Sequence, residues 1–164
     1  MSILVRKSGI LSTFQDLGRK GFRRFGINPS GAMDFRAVRL INILLGNDET
    51  EAVLEMHFPA PEIVFEEDAF IALGGADFGE KLNDKLVENW RVCFAEKGSI
   101  LEFGQKTFGS RTYLSVKGGF EIKKWLGSCS TNLLAEIGGF EGRNLQAGDR
   151  IEFNEKTENG KWKI

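Results

Sequence analysis

DFRAVRLINILLGN, Asp34 to Asn47, is the stretch on which the fold class turns, because it alone repeats its apolar residues with a convincing helical period. Ala37, Val38, Ile41, Leu44 and Leu45 fall on one stripe, Asp34 stands at the N-cap position, and Gly46 with Asn47 supplies a stop. One amphipathic helix is predicted, its apolar face covering an end of a barrel. On either side the chain breaks into short apolar runs: Ile3 to Lys7, Ala52 to Phe58, Glu62 to Glu66 and Ala69 to Gly75, then RVCFAE, SILEFG, RTYLSVKGG and DRIEF. Gly, Asp, Asn or Ser bounds each of them, and SILEF and RIEF alternate with the period of a half-buried strand. Twenty glycines scattered among these runs imply many turns. The prediction is a mainly β fold with one main helix.

The 164 residues suffice for one core, and 41% hydrophobic with 27% charged residues is a globular balance. A net charge of -1 offers no long-range field for nucleic acid, and Phe22 and Phe25 among the basic residues read as core-facing aromatics. No apolar run is long enough to span a bilayer, and the opening MSILVRKSGILS lacks the plan of a secretory signal, so a cytoplasmic location is expected. Cys93 and Cys129 match no metal-ligand spacing, and His57 stands far from both in sequence. No metal site is expected, and Cys93 reads as a buried free thiol. The closing NEKTENGKWKI reads as a frayed or cut end.

The chemistry-bearing residues concentrate in FQDLGRKGFRRFGINPSGAMD, Phe14 to Asp34. Gln15, Asp16 and Arg19 put an amide, a carboxylate and a guanidinium within five positions, punctuated by Gly18 and Gly21. One reading is a fork of donors for a carboxylate or phosphate, with glycines admitting the ligand to the backbone. The other is a tight turn closed by an Asp16–Arg19 pair, with Lys20, Arg23 and Arg24 as solvated charge. Ser30 and Gly31 leave room for an anion at the helix N-terminus beside Asp34. Asp77, just after Gly74 and Gly75, reads as a strand-end acid of a site or as part of a hairpin turn. Ser128, Thr131 and Arg143 stand among glycines in LGSCSTNLLAEIGGFEGRNLQAGD, where hydroxyls and N–H groups can hold oxyanions, although no phosphate-loop or dinucleotide spacing is present.

Taken in order, QDLGRKGFRRFGINPSGAMD, LLGNDETEAVLEM, GGADF, VKGGF, LGSCST and GGFEGRNLQAGDRI resemble the family of the 5-oxoprolinase C subunit, also called KipA or allophanate hydrolase subunit 2, related to the carboxyltransferase domain of urea carboxylase. The resemblance implies a cyclophilin-like β-barrel, with residues 1–164 forming a single domain that corresponds to the N-terminal half of a longer family member. It implies membership of an ATP-dependent complex that opens 5-oxoproline to glutamate, with a KipI or B-type partner and a third subunit. Two alternatives accompany it: a KipA-like protein that antagonises a KipI-type kinase inhibitor, or a carboxyltransferase component. ATP is expected in the assembled complex, no biotin is attached to this chain, and the isolated piece is expected to be inactive. On residue chemistry, Arg19 and the helix N-terminus would hold an anionic group, while Asp16 or Asp77 would accept a proton or bind a metal.

Overall fold

In the computed structural model, residues 1–154 are described, and the predicted frayed tail beyond Asn154 lies outside them. Eleven strands are present among the described residues: β1 Ser2–Lys7, β2 Ser12–Gln15, β3 Val53–Met56, β4 Glu62–Phe65, β5 Ala69–Asp77, β6 Glu80–Leu82, β7 Lys85–Leu86, β8 Val92–Ala95, β9 Ile100–Phe103, β10 Phe108–Val116 and β11 Arg150–Glu152. They form two antiparallel sheets, one in the order β11-β1-β4-β9-β6-β7 and the other in the order β2-β3-β10-β5-β8. A short 3-10 turn at Arg23–Phe25 and the helix α1, Phe35–Leu44, complete the fold. No helix among the described residues is long and apolar enough to cross a membrane.

The two sheets enclose the main core. Ile3 and Val5 of β1, Ile63 and Phe65 of β4 and Leu101 of β9 meet Phe14, Leu54, Met56, Ile71, Leu73, Leu114 and Val116 of the second sheet. Alternate residues of that second sheet, Val53, Ala72 and Tyr113, point the other way and pack under Ala37, Val38, Ile41 and Leu45. The helix therefore covers the outer face of β5 and β10 and does not cap a barrel end. A sheet buried on both faces explains why AFIAL in β5 reads as an unbroken apolar run.

The helical stripe departs from its sequence pattern at one edge. Leu44 is exposed, and Asn42 is buried in its stead. Its Nδ2 donates to the Glu51 carbonyl at 2.9 Å and its Oδ1 accepts from the Ser115 hydroxyl at 2.7 Å, tying α1 to the sheet. Phe25 departs from expectation too: it is exposed, because the 3-10 turn lends its ring to Arg24 and buries none of its own residues. Packing also accounts for the Gly74–Gly75 pair. A Cβ on Gly74 would lie 2.6 Å from the Trp90 ring and 2.7 Å from Ile41, so the missing side chain lets helix and Trp90 approach the sheet. Gly75, at φ +101°, sits where the β5–β10 register shifts.

Candidate functional site

The free edge of β2 is covered by a loop from the far end of the chain. Thr131 N–H donates to the Phe14 carbonyl at 2.9 Å and Leu145 N–H to the Ser12 carbonyl at 3.0 Å, which brings residues 128–131 against the turn that leaves β2. At that junction Asp16 is buried, and its carboxylate collects four donors. Oδ1 accepts from the Ser128 hydroxyl at 2.7 Å, the Ser130 hydroxyl at 2.6 Å and Gly18 N–H at 2.7 Å; Oδ2 accepts from Cys129 N–H at 2.6 Å. Ser130 Oγ in turn accepts from Asp16 N–H at 2.9 Å. A carboxylate held in this way is a structural clamp, because any proton or metal it took up would displace donors already bonded to it.

Arg19 is also buried, yet it makes no ion pair with a described carboxylate. Its Nε donates to the Trp125 carbonyl at 3.3 Å, one Nη to the Ser130 carbonyl, and its guanidinium lies 4.8 Å from the centre of the Trp125 ring. Burial draws its pKa down, partly offset by Asp16 at longer range. The Asp16–Arg19 turn thus closes through serine and main-chain groups, without direct contact between the two charges. Gly138 completes the fit: a Cβ there would meet the Ser130 carbonyl and the Arg19 guanidinium. Trp125 and Gly138 are the residues that sequence reasoning missed. No spacing announces them, because both contact Arg19 only after the chain has crossed from one loop to the other.

The remaining candidates divide into two groups. Gln15 belongs with the junction, its Oε1 accepting from Gly31 N–H at 3.2 Å and its Nε2 donating to the Thr131 carbonyl at 3.3 Å. Thr131 adds a hydroxyl bond to the Phe14 carbonyl at 3.0 Å, and a Cβ on Gly18 would lie 2.8 Å from the Ser30 carbonyl. Gln15, Asp16, Arg19, Ser30, Gly31, Ser128 and Thr131 are therefore one assembly. Asp34, Asp77 and Arg143 stand apart from it.

Asp34 closes the helix end at which the sequence leaves room for an anion. Its own carboxylate accepts from Arg36 N–H at 2.9 Å and Ala37 N–H at 3.1 Å, while its N–H donates to the Tyr113 hydroxyl at 3.0 Å. Met33 N–H is taken by Glu55 at 2.8 Å. A ligand anion there would have to displace a tethered carboxylate, so the helix N-terminus is an ordinary capped end.

Asp77 is placed by strand register. Gln15 shares a row with Val53, and the β3–β10–β5 pairing carries that row to Ala72, so Asp77 lies five residues further along β5 and three strands across. At about 3.3 Å per residue and 4.8 Å per strand it is roughly 20 Å from the junction. There its carboxylate accepts from Gly79 N–H at 2.8 Å as part of a turn, and that bond and one from Thr107 hold its pKa low. Arg143 is occupied by Glu141 at 2.6 Å and Asp149 at 2.7 Å, and hydrogen bonds to Asp149 above all push its pKa up.

The nucleophiles are quiet. Burial, and then the Asp16 charge, lifts the Cys129 thiol to about 11, while burial raises that of half-buried Cys93. Burial followed by Arg111 lowers the pKa of His57. Among the described residues no group of three or more His, Cys, Asp or Glu is placed to hold a metal. Two open cavities flank the Arg19 junction. One, of about 600 Å³, is lined by Leu17, Arg19, Lys20, Gly21, Arg23, Arg24, Asn28, Pro29, Ser30 and Phe35. The other, about 590 Å³, lies between residues 121–125 and 136–142.

Comparison with known proteins supplies the lineage. The family described as carboxyltransferase domain, subdomain A and B, matches residues 25–163. The C subunit of 5-oxoprolinase from Haemophilus influenzae is 44% identical over 141 residues, which are 86% of this chain and 46% of that protein. Its counterpart from Escherichia coli is 41% identical over 146 residues, covering 88% and 47% respectively. The urea carboxylase crystal structure from Kluyveromyces lactis superposes with a TM-score of 0.91 at 35% identity, across 94% of this chain and 14% of that one. The chain spans about half the length of the two 5-oxoprolinase relatives.

Proposed function

Because this chain belongs to the carboxyltransferase domain family, subdomains A and B, we propose that it serves as part of the C subunit of an ATP-dependent 5-oxoprolinase. In that complex it would act with a B-type companion and a third subunit, in the cytoplasm, to open the lactam of 5-oxoproline to glutamate. The observation that carries this reading is the order of the identities: 44% and 41% to the 5-oxoprolinase proteins against 38% to a putative urea carboxylase and 36% and 35% to urea amidolyases. ATP enters with the assembled complex, and no biotin is attached to this chain.

An unstrained amide resists water; phosphorylating its oxygen with ATP lets water add to the carbon and the ring nitrogen leave as the amine, giving an acyl phosphate that a second water hydrolyses to glutamate and phosphate. Cationic and N–H donors are therefore needed where negative charge gathers. The junction around Arg19 fits a supporting part in that chemistry. With its acceptors filled, Asp16 holds the loop carrying Ser128 to Thr131 while Arg19 keeps a positive charge fixed behind the open loop from Lys20 to Ser30. This assigns the chain to binding and positioning, and the proton transfers to groups outside the junction.

A carboxyltransferase role is the second reading, favoured by the close superposition on the Kluyveromyces lactis urea carboxylase. One experiment separates them. The chain is co-purified with its companion subunits and assayed for ATP-dependent glutamate release from 5-oxoproline, and in parallel for carboxylation of urea by a biotinylated carrier. Glutamate release that disappears when this chain is omitted supports the first reading; carboxylation without glutamate release replaces it with the second.

A further inference from the structure

The first cavity beside the junction has an unusual electrostatic lining. Four cations, Arg19, Lys20, Arg23 and Arg24, border it, and no acidic residue does. They occupy four of six consecutive positions in a chain whose net charge is only -1. Lys20, Arg23 and Arg24 are exposed and form no ion pair with any described carboxylate. Elsewhere most arginines meet an acid, as Arg6 meets Glu62, Arg143 meets Asp149 and Arg150 meets Glu66, with Arg36 the exception among the described ion pairs. Several cations on one cavity with no acid in its lining make an anion the complementary occupant.

The geometry of the loop maintains the opening. Gly18 and Ser30 are in close backbone contact, and Arg19 N–H donates to the Pro29 carbonyl at 2.7 Å, so the segment between them forms a closed loop with its basic residues on one cavity. The 3-10 turn carries Arg23 and Arg24 side by side, with Arg24 4.7 Å over the Phe25 ring. Arg19 lines the cavity as well, with its buried guanidinium held against the Trp125 ring and the Trp125 and Ser130 carbonyls. Gly21, at φ +89°, leaves open space where a side chain would stand.

We propose that this cavity is a binding site for a phosphoryl-bearing small molecule. A monocarboxylate would neutralise only one of the four cations, whereas a phosphate ester carries about -1.5 to -2 and a diphosphate more. Guanidinium forks match phosphate oxygens in bidentate pairs, and Lys20 adds a point charge beside them. Leu17, Pro29 and Phe35 line the same cavity and provide apolar surface for the body of the ligand. Its volume, about 600 Å³, is that of a small-molecule site. This inference deepens the proposed function, because the cavity is lined by the loop given a part in its ATP-coupled chemistry, and its test reads binding alone.

The test is calorimetric titration of the 164-residue chain with inorganic pyrophosphate at about 150 mM salt, where long-range attraction is screened beyond roughly 8 Å. Citrate serves as a carboxylate of comparable charge. The expected result is saturable one-site binding of pyrophosphate, at least about tenfold weaker for Arg23→Gln/Arg24→Gln and for citrate, with Lys85→Gln on the other sheet unchanged. Circular dichroism of the double variant, whose changes are both at exposed positions, checks that the fold persists. The proposal is overturned if the wild-type chain shows no saturable binding, if Lys85→Gln weakens it as much as the double variant does, or if citrate binds as tightly as pyrophosphate. Because turnover is not read, failure here leaves the 5-oxoprolinase assay to be judged by itself.

Discussion

The corners around Asp16 and Asp149 use the same carboxylate chemistry at two depths. Asp16 is buried and takes all four of its donors from serine hydroxyls and main-chain N–H groups. Asp149 sits at a partly exposed edge, where the Arg143 fork and Gln146 N–H serve it. Water can replace the Arg143 partner of Asp149, whereas at Asp16 only the Gly18 N–H is within its reach and the Ser128, Cys129 and Ser130 donors are buried. The difference teaches that in this molecule depth, more than formal charge, sets what a polar contact contributes.

The sharpest way to break that comparison is Asp16→Ala, which orphans two hydroxyls and the Cys129 N–H in a buried junction. A loss of about 3–5 kcal/mol is expected, or roughly 10 °C in Tm for a chain of this size. Thermal unfolding that moved by less than about 2 °C would erase the distinction. Gly138→Ala tests the close approach at the same junction, where a Cβ would collide with the Ser130 carbonyl at φ +73°. About 2–3 kcal/mol should be lost, against about 1 kcal/mol for Gly127→Ala, which has a similar φ of +78° and open space around it. Equal losses in denaturant melts would mean the loop yields freely.

At the exposed corner, Arg143→Ala should cost only about 0.5–1 kcal/mol, because its carboxylate partners regain water. A cost above about 2 kcal/mol would put this corner in the same class as the buried one. The smallest effect concerns pH. Hydrogen bonds from Arg150 and then Ser2 hold Glu66 at about 2 when folded, against its ordinary 4.5. Its contribution is complete above pH 4.5 and is lost as pH falls toward 2, so Glu66→Gln should flatten the acid side of the stability profile only in that window. An unchanged slope between those limits would show that this surface pair adds nothing.

Much of the fold was legible in local pattern. The strands at β1, β4, β5 and β9 and the helix followed from alternation, turn residues and a capped amphipathic stripe. β2 was not legible: STFQ is short and half polar, and it is buried only because the chain returns from residues 128–145 to cover its edge. The candidate site divided along the same line. Gln15, Asp16, Arg19, Ser30 and Gly31 are near one another in sequence and came together, along with Ser128 and Thr131 from the distant loop. Asp34, Asp77 and Arg143 had equally plausible neighbours in sequence, yet their carboxylate or guanidinium groups are satisfied locally, away from the junction.

By itself, the sequence determined a mainly β chain, its capped helix and the six-position cluster of basic residues, because these depend on periodicity, turn chemistry and charge that a short window contains. Only the tertiary structure decided that the helix lies on a sheet face, that Asp16 serves as a clamp and that the basic cluster opens onto a cavity. Those outcomes depend on which distant loops desolvate a group, and a residue's neighbours along the chain carry no record of that.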